Sequence, residues 1–265
     1  MSLFLHEIKA NVKSTVVWGI CLVFLIAAGM SKYAASAQSG QSINILISKM
    51  PRIFQTLFGV GSFDLSTAFG FYCVLFTYIT MIVTIHATLL GATIVSKEER
   101  EKTSEFLYAK PITRGFILTQ KLLASLVLMI FLNLVSFIFS LLFVRFFGKE
   151  SVNSWMIQKM MGGAFLLQWL FFSIGFFCSA MKVKAKTAPA LASGTLLFSF
   201  MLYQLIMMDS KLDWMKILTP YAYYNAINII SPEGVPAIFH ILACTLILVF
   251  SIGAFRLYQT RDISF

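Results

Sequence analysis

Charged residues are missing from six long stretches of the chain: Ser14–Ser31, Leu65–Ser96, Leu122–Val144, Met160–Met181, Thr187–Met208 and Gly234–Phe255. A helix needs roughly 20 apolar residues to cross a hydrocarbon core of about 30 Å. Every run is near or beyond that length. Lipid offers no partner to an open backbone group, so such runs are read as helices. The pattern predicts an all-α integral membrane protein, one transmembrane domain over residues 1–265, with spans at about 15–33, 67–95, 115–147, 157–180, 188–208 and 236–258. No repeat of 20–50 residues and no low-complexity tract interrupts it.

The polar stretches between the runs carry their own patterns. In residues 1–13, Phe4, Ile8 and Val12 recur at i, i+4, i+8, while His6, Glu7, Lys9, Asn11 and Lys13 fall mostly elsewhere. An amphipathic helix on the membrane surface fits this; so does a polar lead-in to the first span. "AASAQ" at Ala34–Gln38 resembles a signal-peptidase site, but the charge pattern below favours a retained first span. Residues 32–64 are too irregular for a span, and a short interfacial helix is expected near Arg52–Phe58. Between Asp209 and Gly234, Pro220 and Pro232 bracket "YAYYNAINIIS". Trp214, Tyr221, Tyr223 and Tyr224 suit the lipid–water interface. Two readings stay open, a helix re-entering the membrane before span six and an aromatic interface loop.

Composition agrees with a lipid solvent. Of 265 residues, 58% are hydrophobic, 12% are charged and 27 are Phe. A water-soluble domain has about 45–50% apolar and about 25% charged residues. With a cytoplasmic amino terminus, the inside segments 1–13, 97–121, 182–186 and 256–265 hold thirteen of the 21 Lys and Arg residues. The loop 182–186 reads "KVKAK". This bias orients both termini to the cytoplasm. The net charge of +10 is accounted for by inside-facing lysines and anionic lipid rather than nucleic acid. Cys21, Cys73, Cys178 and Cys244 all lie in apolar runs without metal-type spacing and read as small core or lipid-facing residues.

Much chemistry is absent from the sequence. There is no G-x-x-x-x-G-K-[ST] loop, so the chain is not expected to bind ATP itself. There is no H-E-x-x-H or Cys/His cluster. The six runs contain no Asp or Glu, whereas ion-driven carriers usually place ionisable groups in the membrane. His86 reads first as a neutral, hydrogen-bonded residue, with a proton relay as the alternative; His240 reads as interfacial. Asn133, Gln168 and Gln204 could bond across helices for about 0.6–2 kcal/mol each. With His86 they are the candidates for a substrate path. Gly162, Gly163 and Gly175 with Ser173 permit close helix approach. For a membrane enzyme, Asp209, Asp213 and Glu233 are candidates on the outside, but no recognised spacing joins them.

The densest charge lies between the second and third runs, in "SKEEREKTSEFLYAKPITRGFILTQK". Ser96 with Glu99 has capping-box spacing, acids crowd the first turn, and Glu98–Lys102 is an i, i+4 pair. Pro111 ends the helix, which is placed at 98–110. Thr103, Phe106, Leu107 and Lys110 share a face. Five Lys or Arg and four Glu occur between 97 and 114, and mixed charge around an apolar stripe suits docking better than a simple topology signal.

This segment resembles the coupling segment of ABC-2 type transporter permeases. There an acidic stretch, often E-x-x-x-G-T, precedes a leucine turn, P-[IV]-[ST]-R and a lysine opening the next helix. This sequence offers Glu99, Lys102-Thr103, Glu105, Leu107, Pro111, Ile112, Thr113, Arg114 and Lys121, and departs at Lys102, where glycine is common. The resemblance implies a permease subunit of an ABC exporter, not itself an enzyme, with no cofactor of its own, since ATP and Mg would sit on a cytosolic ABC ATPase subunit. It implies a second permease, a copy or a paralogue, and a bacterial cell membrane. The coupling role falls on Glu98, Glu99, Arg100, Lys102, Thr103, Glu105, Phe106, Leu107, Pro111 and Arg114. Cargo of the family ranges over drugs, antimicrobial peptides, polysaccharides and ions. A self-sufficient carrier or channel is the alternative reading.

Overall fold

Six helices long and apolar enough to cross a membrane carry the six uncharged runs. The computed structural model describes residues 3–38, 55, 63–95, 97, 113–148, 154–181 and 187–260. The long helices are α1 (Leu3–Gln38), α2 (Ala68–Ile94), α3 (Arg114–Gly148), α4 (Ser154–Ala180) and α5 (Thr187–Met208). After α5 come a 3-10 helix (Ser210–Leu218), the short α6 (Pro220–Tyr223) and α7 (Ala226–Ile230), and then the sixth long helix, α8 (Ala237–Gln259). The expected helix at 98–110, all of the one expected near 52–58 but Gln55, and the 182–186 loop lie outside the described residues.

The amphipathic start and the first span are one helix, without a break near Ser14. The polar residues at this boundary turn their bonding back onto the helix. Asn11 Nδ2 donates to the Glu7 carbonyl at 2.9 Å, and Thr15 Oγ1 donates to the Asn11 carbonyl at 3.1 Å. Side chains that return to i−4 carbonyls leave the ladder intact.

In α2, Thr67 caps the first turn by accepting from the Gly70 amide at 3.0 Å. Thr80, Thr84 and Thr88 then follow at four-residue spacing, each donating to the carbonyl one turn earlier. Three hydroxyls are thereby buried in an apolar helix with their bonding satisfied.

Helices α2 and α4 form the centre. A Cβ on Gly91 would lie 2.4 Å from the Phe172 carbonyl oxygen, and one on Gly175 would lie 2.4 Å from the Thr88 carbonyl oxygen. The backbones therefore meet only because both positions are glycine, as small residues allow in membrane helices. Gly163 packs under Ile229 and Tyr224, but a Cβ on Gly162 would meet nothing within 4 Å among the described residues. At the edge, only 11% of the most apolar stretch of α8 is buried, against 67% for α4.

Six alternating crossings bring the described ends of the chain to the same end of the bundle, here the termini end. The opposite, far end carries Asp64, the start of α2, the end of α3 and the start of α4, where Arg145 donates to the Ser154 hydroxyl at 2.5 Å.

The tyrosines of the excursion overturn an expectation. Tyr221, Tyr223 and Tyr224 are buried inside the protein rather than set at a lipid interface. Only Trp214, 68% exposed on the 3-10 helix, faces outward as expected. The chain folds back after Met208. The Thr219 hydroxyl donates to the Ser199 carbonyl at 2.8 Å and lies 3.0 Å from the Ser199 hydroxyl. Ser199 is about 13 Å back along α5 from Met208, at ~1.5 Å per residue.

Candidate functional site

At the termini end, the starts of α1 and α3 and the end of α2 are joined through one side chain. Lys121 Nζ lies 2.7 Å from Glu7 Oε1 and donates to the Ile94 carbonyl at 2.7 Å. The pair is buried, Lys121 being 0% and Glu7 2% exposed. The Ile94 carbonyl belongs to the last turn of α2, where helix carbonyls have no intrahelical donor and the dipole favours a cation. Apolar side chains seal the joint: Ile8 and Val12 of α1 pack with Leu90, Ile94, Val95 and Leu118. Arg114, at the start of α3, donates to the Gln259 carbonyl at the end of α8 at 3.2 Å. Four helices are thus tied where the chain enters and leaves residues 96–112.

Of the predicted coupling residues, Arg114 belongs to this platform. Glu98, Glu99, Arg100, Lys102, Thr103, Glu105, Phe106, Leu107 and Pro111 lie outside the described residues. The sequence reading missed the Glu7–Lys121 pair, treating Glu7 as one polar residue among several and Lys121 as a boundary cation. The signal was available: Glu7 is the only acid in the first 63 residues, and an opposite charge opens the third run on the same side.

A second polar region lies deep between α2, α4, α5 and the folded-back segment. Tyr221 and Thr84 share a hydrogen bond at 2.5 Å. Thr84 is about 24 Å along α2 from Ala68 at ~1.5 Å per residue, well inside the span. The Tyr221 ring lies tilted against Phe171 and edge-on to Phe200, with centroids 5.1 and 5.3 Å away. Tyr223 lies flat against Phe239 at 4.8 Å and donates to the Ile217 carbonyl. The Asn225 side chain caps α7 through the Asn228 amide at 2.7 Å, and Asn228 Nδ2 donates to the Ala222 carbonyl at 2.8 Å. These bonds hold an otherwise irregular backbone against protein.

The four candidate path residues do not converge on one cavity wall. His86 bonds Thr15 Oγ1 through Nε2 at 3.2 Å and meets the edge of Trp18, serving the α1–α2 contact; its Nδ1 is buried without a partner. Asn133 donates to the Met161 carbonyl at 3.3 Å across α3 and α4. It borders an outward groove of about 370 Å³ with Gln158 and Gly162. Gln168 and Gln204 are buried in α4 and α5, and both amide atoms of Gln168 lack a hydrogen-bond partner. His240 lies near the start of α8, bonded through Nδ1 to the Tyr224 hydroxyl at 3.1 Å.

Other chemistry is not assembled. No group of three or more His, Cys, Asp or Glu that could hold a metal occurs among the described residues. Asp213 pairs with Lys216 at 3.0 Å on the surface, and Asp209 caps the 3-10 helix. The four cysteines are free, Cys73 and Cys178 buried and Cys21 and Cys244 exposed.

The family pattern described as ABC-2 family transporter protein matches residues 1–263. The chain belongs to the ABC-2 transporter family. Among curated proteins, none matches it. As an ABC-2 family member it is a multi-pass membrane protein and a permease component of an ABC transporter, a transport part whose family implies an ATPase partner.

Proposed function

We propose that this chain is the permease subunit of an ATP-driven exporter, coupled through residues 98–110 to a separate cytosolic ABC ATPase. The single observation that carries the reading is the family match over residues 1–263. The braced platform supports the coupling: Ile94 and Arg114, flanking the segment, are each held to another helix. A push on the segment then meets a stiff base rather than two loose helix ends.

In this reading both termini are cytoplasmic, in a bacterial cell membrane. Two permeases, identical or paralogous, each present one such segment to an ATPase. ATP and Mg are bound by the partner, and this chain supplies neither ligands nor chemistry to them. Closure of the ATPases moves the platforms, and the spans switch access to the path. The excursion re-enters the membrane from the outside, and the path runs by the layer of Thr84, Gln168, Gln204 and Tyr221. His86 and Asn133 act in helix packing. Cargo is a peptide, drug or ion.

The test is purification in mild detergent followed by mass spectrometry of bound proteins. An ATPase of soluble-domain size is expected with the native chain and not with Phe106→Asp, which stays membrane-inserted. An unaltered amount of ATPase on Phe106→Asp contradicts the coupling assignment. Flux driven by an ion gradient in liposomes holding this chain alone supports the self-sufficient carrier instead.

A further inference from the structure

We propose that Glu7 and Lys121 are a positioning pair that makes the first turns of α1 a moving part of the coupling platform, an inference that rests on the function proposed above. A single ammonium group joins three helices. It is carried by α3, binds the last turn of α2 through the Ile94 carbonyl, and holds α1 through Glu7. Residues 96–112 connect α2 to α3, so a displacement of either flank reaches α1 by way of Lys121.

Two further features favour transmission over simple stabilisation. Burying an ion pair is a poor route to stability, because desolvation offsets the Coulombic gain and an apolar pair of similar volume often does as well. The Glu7 carboxylate is also held by one contact. Among the described residues only Lys121 bonds it, and its Oε2 is buried without a partner. A shift of α3 therefore either carries Glu7 along or strands a buried charge. About 12 Å farther along α1, at ~1.5 Å per residue, Thr15 bonds His86 of α2. The helix is thus gripped at two heights and follows as a lever rather than pivoting freely.

Hydrogen exchange on the full-length chain tests this in two arms. In the purified chain alone, Glu7→Gln is expected to speed exchange of the amides of residues 4–12 about 100-fold, the scale of a broken buried pair. The reversed pair, Glu7→Lys with Lys121→Glu, restores most of that protection but cannot donate to the Ile94 carbonyl. Unchanged protection in Glu7→Gln overturns the proposal, whether or not any ATPase co-purifies.

In the ATPase complex, a non-hydrolysable ATP analogue is expected to change exchange in 87–95, 114–125 and 4–12 together. Glu7→Gln and the apolar double variant Glu7→Leu, Lys121→Met lose the response in 4–12 and keep it in 87–95. Retention of the 4–12 response in the well-packed double variant would show that packing, not the pair, carries the motion, and would overturn the assignment. Should no ATPase co-purify with the native chain, the coupling function fails while the first arm still decides whether the pair fixes α1.

Discussion

The termini end and the deep layer around Tyr221 solve the problem of polar groups in a membrane bundle in opposite ways. At the termini end the structure buries full charges, Glu7 about one turn and Lys121 about two turns from the starts of their helices. Among the described residues of the deep layer, Thr84, Ser199, Thr219 and Tyr221 bond hydroxyls and backbone carbonyls, all of them neutral. The difference follows from what an error costs. A neutral hydroxyl that loses its partner forfeits a modest amount, whereas an unpaired charge in a low-dielectric interior is far more expensive. A stiff, charge-locked end beside a softer, neutral middle is an arrangement suited to driving one region from the other.

Removing one charge should give the largest effect. Lys121→Met leaves Glu7 buried and unpaired and is expected to cost roughly 3–5 kcal/mol, read as a fall in the thermal midpoint in detergent; a loss no greater than that of Tyr221→Phe would erase the contrast between the two regions. Gly175→Ala comes next. Its new methyl meets the Thr88 carbonyl oxygen at 2.4 Å, backbone that cannot step aside like a side chain. The overpacking should cost about 1–3 kcal/mol, seen in the same melt.

Tyr221→Phe keeps the ring among Phe171 and Phe200 and removes only the bond to Thr84. About 1 kcal/mol is expected, because Thr84 still donates to its own helix. The smallest effect belongs to Gly162→Ala, where the added methyl meets nothing within 4 Å among the described residues. A change within about 0.5 kcal/mol is predicted for the single chain in detergent; a larger loss there would show that this face is packed after all.

The existence of the six long helices was legible because uncharged runs of this length have few other uses. The irregular segment was legible only as irregular. Its tyrosines suited an interface by composition, but burial depended on Thr219 reaching back to Ser199 and Tyr221 reaching Thr84, contacts with no sequence periodicity to announce them. Gly175 was recognised as a packing residue, yet its counterpart Gly91 was not. A lone glycine in an apolar run carries no mark of what lies opposite. The Glu7–Lys121 joint was half legible: a lone acid in the first 63 residues asks for a cation, but 114 residues separate the partners, and only the fold shows that α1 and α3 start side by side. The coupling residues at 98–111 rest on the sequence pattern and the family.

The comparison of the two ends also sets the most direct test of the function. A photo-crosslinking residue is placed at position 106, on the apolar face of the proposed coupling helix, and in a control at position 155, exposed at the far end on α4. Irradiation of intact cells is expected to join position 106, and not position 155, to a soluble ATP-binding protein. Failure of position 106 to capture any ATP-binding protein, or equal capture at position 155, would contradict the claim that this segment is where an ATPase drives the permease.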